Sequence, residues 1–164
     1  MKRVRSGMGV RGFTLIEMLV TLSVMALLAT VAFPLTEMAT QRERELELRS
    51  ALRTIRAAID AYKRDTETGK VAKSADQSGY PPTLNALVEG VDDASDPTGQ
   101  RKIYFLRRLP RDPMCRCPDE PPDKTWALRS YESPPDEPEA GDDVFDVASK
   151  SDQEALDGTY YKNW

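Results

Sequence analysis

The sequence predicts an α+β protein, with one long N-terminal helix followed by a small head of short strands, a short helix and loops. Three observations lead there: an apolar run near the start, apolar residues at 3–4 spacing directly after it, and strand-like segments among proline-rich loops. The chain has 164 residues and a mean hydropathy of −0.55, which suits one modest domain. Histidine is absent, which excludes Ser-His-Asp triads, His-based zinc sites and the commonest general base at neutral pH. The two cysteines are too few for a structural zinc site or for a disulfide framework. A net charge of −4 argues against a broad electrostatic grip on nucleic acid. Composition thus favours a binding, structural or assembly role over an enzyme.

The helix begins behind a basic leader. Residues 1–12 hold Lys2, Arg3, Arg5 and Arg11 and no acid, whereas the remainder has 19 basic and 27 acidic side chains. Residues 13–35 follow as a 23-residue run with one charged side chain, Glu17. About 20 apolar residues in a helix span a bilayer, and the positive flank sets the amino end in the cytoplasm. The run therefore reads as a transmembrane segment. Its default form is a signal anchor; a cleaved secretory signal suits it poorly, because the run is long and bulky Phe33 follows Thr30-Val31-Ala32. A carboxylate at that depth costs roughly 2.5–3.5 kcal/mol on insertion scales, so Glu17 calls for a partner. No Lys, Arg or His lies between Phe13 and Gln41. Its partner is then a cation from another copy; failing that, Glu17 is protonated or snorkels towards the leader.

The helix continues over residues 36–65. Leu48, Leu52, Ile55, Ile59 and Tyr62 recur at spacings of 4, 3, 4 and 3, with Ala51 and Ala58 beside them, which forms one apolar stripe. The charged run 41–49 reads as a solvated face with i,i+4 pairs such as Glu45 with Arg49. Pro34 lacks a donor and crowds the preceding turn, which predicts a kink. Gly69 is placed to cap the helix end.

The head spans residues 66–164. Residues 80–90 read as a short helix opened by prolines and closed by Gly90, and the Asp-rich stretch 91–100 reads as loop. Eight of the 12 prolines lie between Pro110 and Pro138, so that region is loop interrupted by one strand, residues 126–131. Residues 143–148 are the last strand candidate.

Gly12-Phe13-Thr14-Leu15-Ile16-Glu17, at the border of leader and apolar run, resembles the prepilin leader of the type IV pilin superfamily. The resemblance implies cleavage by prepilin peptidase between Gly12 and Phe13 and N-methylation of Phe13. It places Glu17 fifth in the mature chain and matches Pro34 to that family's helix-breaking proline. Glu17 would then pair with the Phe13 amino group of a neighbouring copy and set the register of a filament. Later segments resemble the major pseudopilins of type II secretion systems: Tyr80-Pro81-Pro82-Thr83, Tyr104 to Pro113 (Tyr-Phe-Leu-Arg-Arg-Leu-Pro-Arg-Asp-Pro), Phe145-Asp146-Val147 and Trp164. That implies a pilin-like fold, the long helix packed on a small antiparallel sheet. It also implies an inner-membrane protein with a single pass and a periplasmic head. As a homopolymer it would form a pseudopilus, with minor pseudopilins and an inner-membrane assembly platform as partners, that drives folded proteins across the outer membrane. The alternatives are a major or minor pilin of a type IV pilus and a membrane-anchored periplasmic protein that does not polymerise.

Two further sites come from this resemblance and the local sequence. Such pseudopilins typically bind Ca²⁺ in the loop after the last strand. Here the candidate ligands are Asp152, Glu154 and Asp157 with carbonyls near Ala148 and Ser151, oxygen donors that suit the ion. Against this, Lys150 is ill placed and Asp157-Gly158 equally suits a metal-free turn. Cys115 and Cys117 stand where the family more often has Trp-Gly-Asn-Pro, and in an oxidising periplasm they suit a local disulfide staple better than a redox site. Finally, residues 42–64 have a net charge of +3 and residues 112–164 one of −9, which predicts attraction between the helical stems and heads of different copies.

Overall fold

The computed structural model describes residues 12–164, except the side chains of residues 31–35. The expected leader therefore lies outside the described residues apart from Gly12. The chain divides into two compact units, Met1–Thr40 and Gln41–Trp164; helix α1, Leu15–Glu67, contributes to both.

In the first unit the start of α1 is capped by Thr14. The Thr14 hydroxyl accepts a hydrogen bond from the Glu17 N–H at 3.2 Å, and its carbonyl accepts one from the Met18 N–H at 3.1 Å. Thr14 and Glu17 thus occupy the first and last places of the Thr-x-x-Glu capping pattern. Three hydroxyls in the apolar run bond to the helix itself: those of Thr21, Ser23 and Thr30 donate to the carbonyls of Met18, Leu19 and Leu27, so none of the three needs water. The helix continues through Pro34, whose side chain lies outside the described residues. Among the described residues no helix is long and apolar enough to cross a membrane; the expected span, 13–35, ends in the five residues whose side chains are not described.

In the second unit the predicted stripe is the spine of the core. Leu48, Ala51, Leu52, Ile55, Ala58, Ile59 and Tyr62 are all buried, against Leu84, Leu87, Trp126, Val144, Val147 and Tyr161. The helix ends as Gly69 predicts. The Lys70 N–H donates to the Asp65 carbonyl and the Gly69 N–H to that of Thr66, with Gly69 at φ +78°, an arrangement that returns two terminal carbonyls to hydrogen bonding.

The short helix is shorter than predicted. α2 covers only Ala86–Glu89 and ends at Gly90. Pro81 is held out of it because its carbonyl accepts the Val144 N–H at 2.8 Å, which ties this segment to the far end of the chain. The expected loop 91–100 is instead bounded by a strand pair: β1, Val91–Asp92, lies antiparallel to β2, Lys102–Ile103. Buried Asp93 holds this turn together through Ser95 and through Arg101, whose Nε lies 2.7 Å away. After a 3-10 turn at Pro122–Lys124 come β3, Trp126–Arg129, and β4, Asp146–Ser149. They pair antiparallel in the register Trp126 with Ser149 and Arg129 with Asp146. Among the described residues the expected single small sheet is therefore two two-stranded ones.

Candidate functional site

The first candidate site is the start of the chain. Gly12 has nothing near the place a Cβ would occupy, and Phe13 is 74% exposed, ahead of the first helical turn. The bond between Gly12 and Phe13 therefore lies in non-helical chain. Glu17 is exposed in the first turn of α1, where the positive end of the helix dipole favours a carboxylate. Around it Leu15, Ile16, Leu19, Leu22, Met25, Leu27 and Leu28 are each more than half exposed. So much uncovered apolar surface on one segment marks a membrane or protein contact.

The second is the C-terminal loop of the second unit, which is built on a tight turn. The Gly158 N–H donates to the Ala155 carbonyl and the Ala155 N–H to that of Thr159, while Gly158 has φ +83°. The Asp157 carboxylate accepts the Thr159 N–H at 3.0 Å and the Thr159 hydroxyl at 2.5 Å. These bonds, followed by the nearby Arg49 guanidinium, hold its carboxyl below the usual carboxylate range.

Helix α1 grips this loop through polar side chains that the sequence suggests are solvated. Glu45 is only 6% exposed. Its Oε1 accepts the Leu156 N–H at 2.9 Å, the Tyr161 hydroxyl at 2.9 Å and Gln41 Nε2 at 3.3 Å. The expected Glu45–Arg49 pair is absent among the described residues, because Arg49 turns instead to Asp157 at 3.0 Å and stacks over the Trp164 ring, 4.1 Å from its centroid. Arg56 reaches Asp146 Oδ1 at 2.7 Å and donates to the main-chain oxygens of Val147 and Trp164. Lys63 donates to the Ser78 carbonyl at 2.7 Å. Arg49, Arg56 and Lys63 thus form a row of cations, one per seven residues, each holding a later segment. The signal was present in the sequence: Glu45 continues the stripe, three residues before Leu48, and the cations share a seven-residue period.

The proposed calcium ligands are not gathered. Asp152 pairs with Lys162 at 3.0 Å, Asp157 with Arg49, and Glu154 joins the loop through its backbone, pairing with Tyr160 and accepting Gln41 Nε2 on its carbonyl. Ala148 is inside β4, opposite Ala127, and the hydroxyl of Ser151 accepts the Gln153 N–H. Among the described residues no three acidic, cysteine or histidine side chains converge as metal ligands do, so the residues present do not fit a calcium site. Lys150 donates to the Lys124 carbonyl at 2.6 Å.

Cys115 and Cys117 are joined in a disulfide, their Cα atoms 5.3 Å apart. Arg111 steadies this loop by donating to the carbonyls of Cys117 and Glu120. Beside it, buried Asp112 links the segment before the disulfide to β4: it accepts the Ser149 hydroxyl at 2.6 Å and the Met114 N–H at 2.8 Å.

Comparison with known proteins bears on the first site. Residues 7–33 match the prokaryotic N-terminal methylation motif, a stretch that contains Gly12, Phe13 and Glu17. Over 102 residues the chain is 30% identical to the type II secretion system core protein G of Pseudomonas aeruginosa. Both likenesses are to type IV pilin-like proteins, the second to a protein of the pseudopilin kind. The match covers 62% of this chain and 66% of that relative, just short of two thirds of its length. No solved structure matches. Thr14, Glu17 and the exposed apolar side chains of the first unit form a single feature: a capped helix start with apolar surface uncovered among the described residues.

Proposed function

We propose that this chain is a pseudopilin, a structural subunit of a type II secretion pseudopilus that is made with a leader and polymerises through its N-terminal helix. The observation that carries the reading is the methylation motif over residues 7–33, falling where Gly12-Phe13 precedes a capped helix with exposed apolar side chains. Prepilin peptidase removes residues 1–12, and the new Phe13 amino group is methylated. The apolar run, 13–35, rests in the inner membrane with the head in the periplasm and then moves into the core of the filament. There Glu17 meets the Phe13 amino group of a neighbouring copy; the pair neutralises two charges that are costly apart in an apolar medium and sets the axial register. Minor pseudopilins and the inner-membrane platform start and drive growth, which pushes folded cargo across the outer membrane. The role is mechanical and requires no catalytic residue.

The test is filament assembly and cargo export in cells with the chain as sole major pseudopilin. Glu17→Ala is expected to leave processing and membrane insertion intact while abolishing assembly and export. Wild-type levels of filament and export from Glu17→Ala would refute the assigned role. Filaments that extend from the cell surface without any effect on export would favour a pilus subunit instead.

A further inference from the structure

A calcium ion in a loop orients several carbonyls and carboxylates at once and neutralises the acids. Here those tasks are distributed among side chains of the same chain. Arg49 neutralises Asp157, and Lys162 neutralises Asp152. Glu45 collects the Leu156 N–H and the Tyr161 hydroxyl, the two donors that fix the loop to α1. At its base, Ser149 passes a hydrogen bond to Asp112 and accepts one from the Ser151 N–H at 3.1 Å. At its end, the Trp164 ring packs edge-on to Tyr161 and donates to the Thr159 hydroxyl. Beyond the engagement of the Asp152 and Asp157 carboxylates, the candidate ligands lie among cations: Arg49 and Lys162 contact the loop's acids directly, and Lys150 emerges at its root. A divalent ion entering there would displace two ion pairs and face three positive charges, whereas Ca²⁺ requires about six to eight oxygens around it.

We infer that the C-terminal loop of this pseudopilin is locked by a Glu45-centred clasp from its own helix and closes without a divalent cation. Glu45 is the positioning residue of this clasp, and Arg49 and Arg56 secure its two sides. The loop is consequently folded whatever the calcium concentration, and it depends on a residue more than 100 positions earlier in the chain.

The experiment uses the full-length protein in detergent micelles, with thermal unfolding and amide hydrogen exchange measured in EGTA and in CaCl₂ up to about 5 mM, a range that fills millimolar sites. The unfolding midpoint is expected to differ by less than about 1 °C between the two conditions. Glu45→Ala is expected to speed exchange at Leu156 about tenfold or more with or without calcium, a change of 1.4 kcal/mol or more in local opening. Glu45→Gln, which keeps an acceptor oxygen, is expected to restore most of the protection. A saturable rise of several degrees with calcium, abolished by Asp157→Asn, would overturn the inference. So would unchanged exchange at Leu156 in Glu45→Ala. Should Glu45→Ala fail to accumulate, the wild-type titration and Glu45→Gln decide the question. None of these readouts involves filament assembly, so the outcome is independent of the proposed function.

Discussion

The Glu45 carboxylate accepts the Tyr161 hydroxyl at 2.9 Å across 116 residues of chain, and both side chains are buried. Burial raises the Tyr161 hydroxyl's pKa above its usual value, so it stays a donor throughout the ordinary pH range. A buried carboxylate that makes no ion pair among the described residues is stable only if donors surround it; Leu156, Tyr161 and Gln41 supply them.

Tyr161→Phe removes one of these donors without removing the ring. It is expected to destabilise the protein by about 1.5–3 kcal/mol, the range for hydrogen bonds to charged groups. In a double-mutant cycle with Glu45→Ala the two changes should couple by about 0.5–3 kcal/mol, read from denaturant midpoints. Strict additivity would mean that the contact carries no energy.

Leu46 and Leu48 are two residues apart on α1 and should behave oppositely. Leu48 is fully buried, whereas Leu46 is 60% exposed. Leu48→Ala is expected to cost about 2–5 kcal/mol, and Leu46→Ala about 0.5 kcal/mol or less. Urea unfolding of both variants checks the direction of the stripe.

Acid should weaken the head in a defined window. Hydrogen bonds from the Thr98 N–H and hydroxyl, then from the Arg101 N–H, lower the Asp96 carboxyl to about 2. The Asp93 carboxyl is lowered first by Ser95 and then by Arg101, and that of Asp157 first by Thr159. A carboxylate with a depressed folded-state pKa contributes its stability above its unfolded pKa, and that contribution is lost as pH falls through the folded value. The melting temperature should therefore hold steady down to about pH 4 and drop between about pH 4 and 2. Asp96→Asn should make that drop shallower. A melting temperature that rises on acidification would contradict the assignment.

Charge attraction between copies should involve only part of the helix. Arg49 and Arg56 are already paired with Asp157 and Asp146 of their own chain, whereas Arg42, Arg44 and Arg53 make no ion pair among the described residues. Charge reversal at these three is expected to weaken filaments in low salt while leaving the head's melting temperature within about 2 °C. Filaments that keep the same stability over a wide salt range would count against any such attraction.

What the sequence discloses follows the length of the signal. The stripe from Leu48 to Tyr62 repeats over four turns, so its buried face is legible, as is Gly69, whose missing side chain suits the left-handed cap. Strands β3 and β4 are visible as short apolar runs among prolines. Strands β1 and β2 are not, because two residues each cannot display an alternating pattern; they exist through the pairing of Val91 with Ile103 and through Asp93. The burial of Glu45 is not legible because a glutamate among arginines reads as solvated and paired with Arg49, and only its position on the stripe, with Tyr161 far along the chain, shows otherwise. The calcium expectation came from the resemblance to pseudopilins and was placed on Asp152, Glu154 and Asp157; in the folded loop Lys162 and Arg49 hold two of those carboxylates. The methylation motif that contains Gly12, Phe13 and Glu17 is legible because it is local and needs no folded partner.

The central claim is that this chain is a processed, membrane-assembled pseudopilin, and the most direct measurement is N-terminal sequencing with mass analysis of the native protein isolated from membranes. The account predicts a mature chain that begins at Phe13, carries one methyl group on its amino nitrogen and lacks residues 1–12. A native chain with the Gly12–Phe13 bond intact and no methyl group would contradict it and leave a simple membrane anchor.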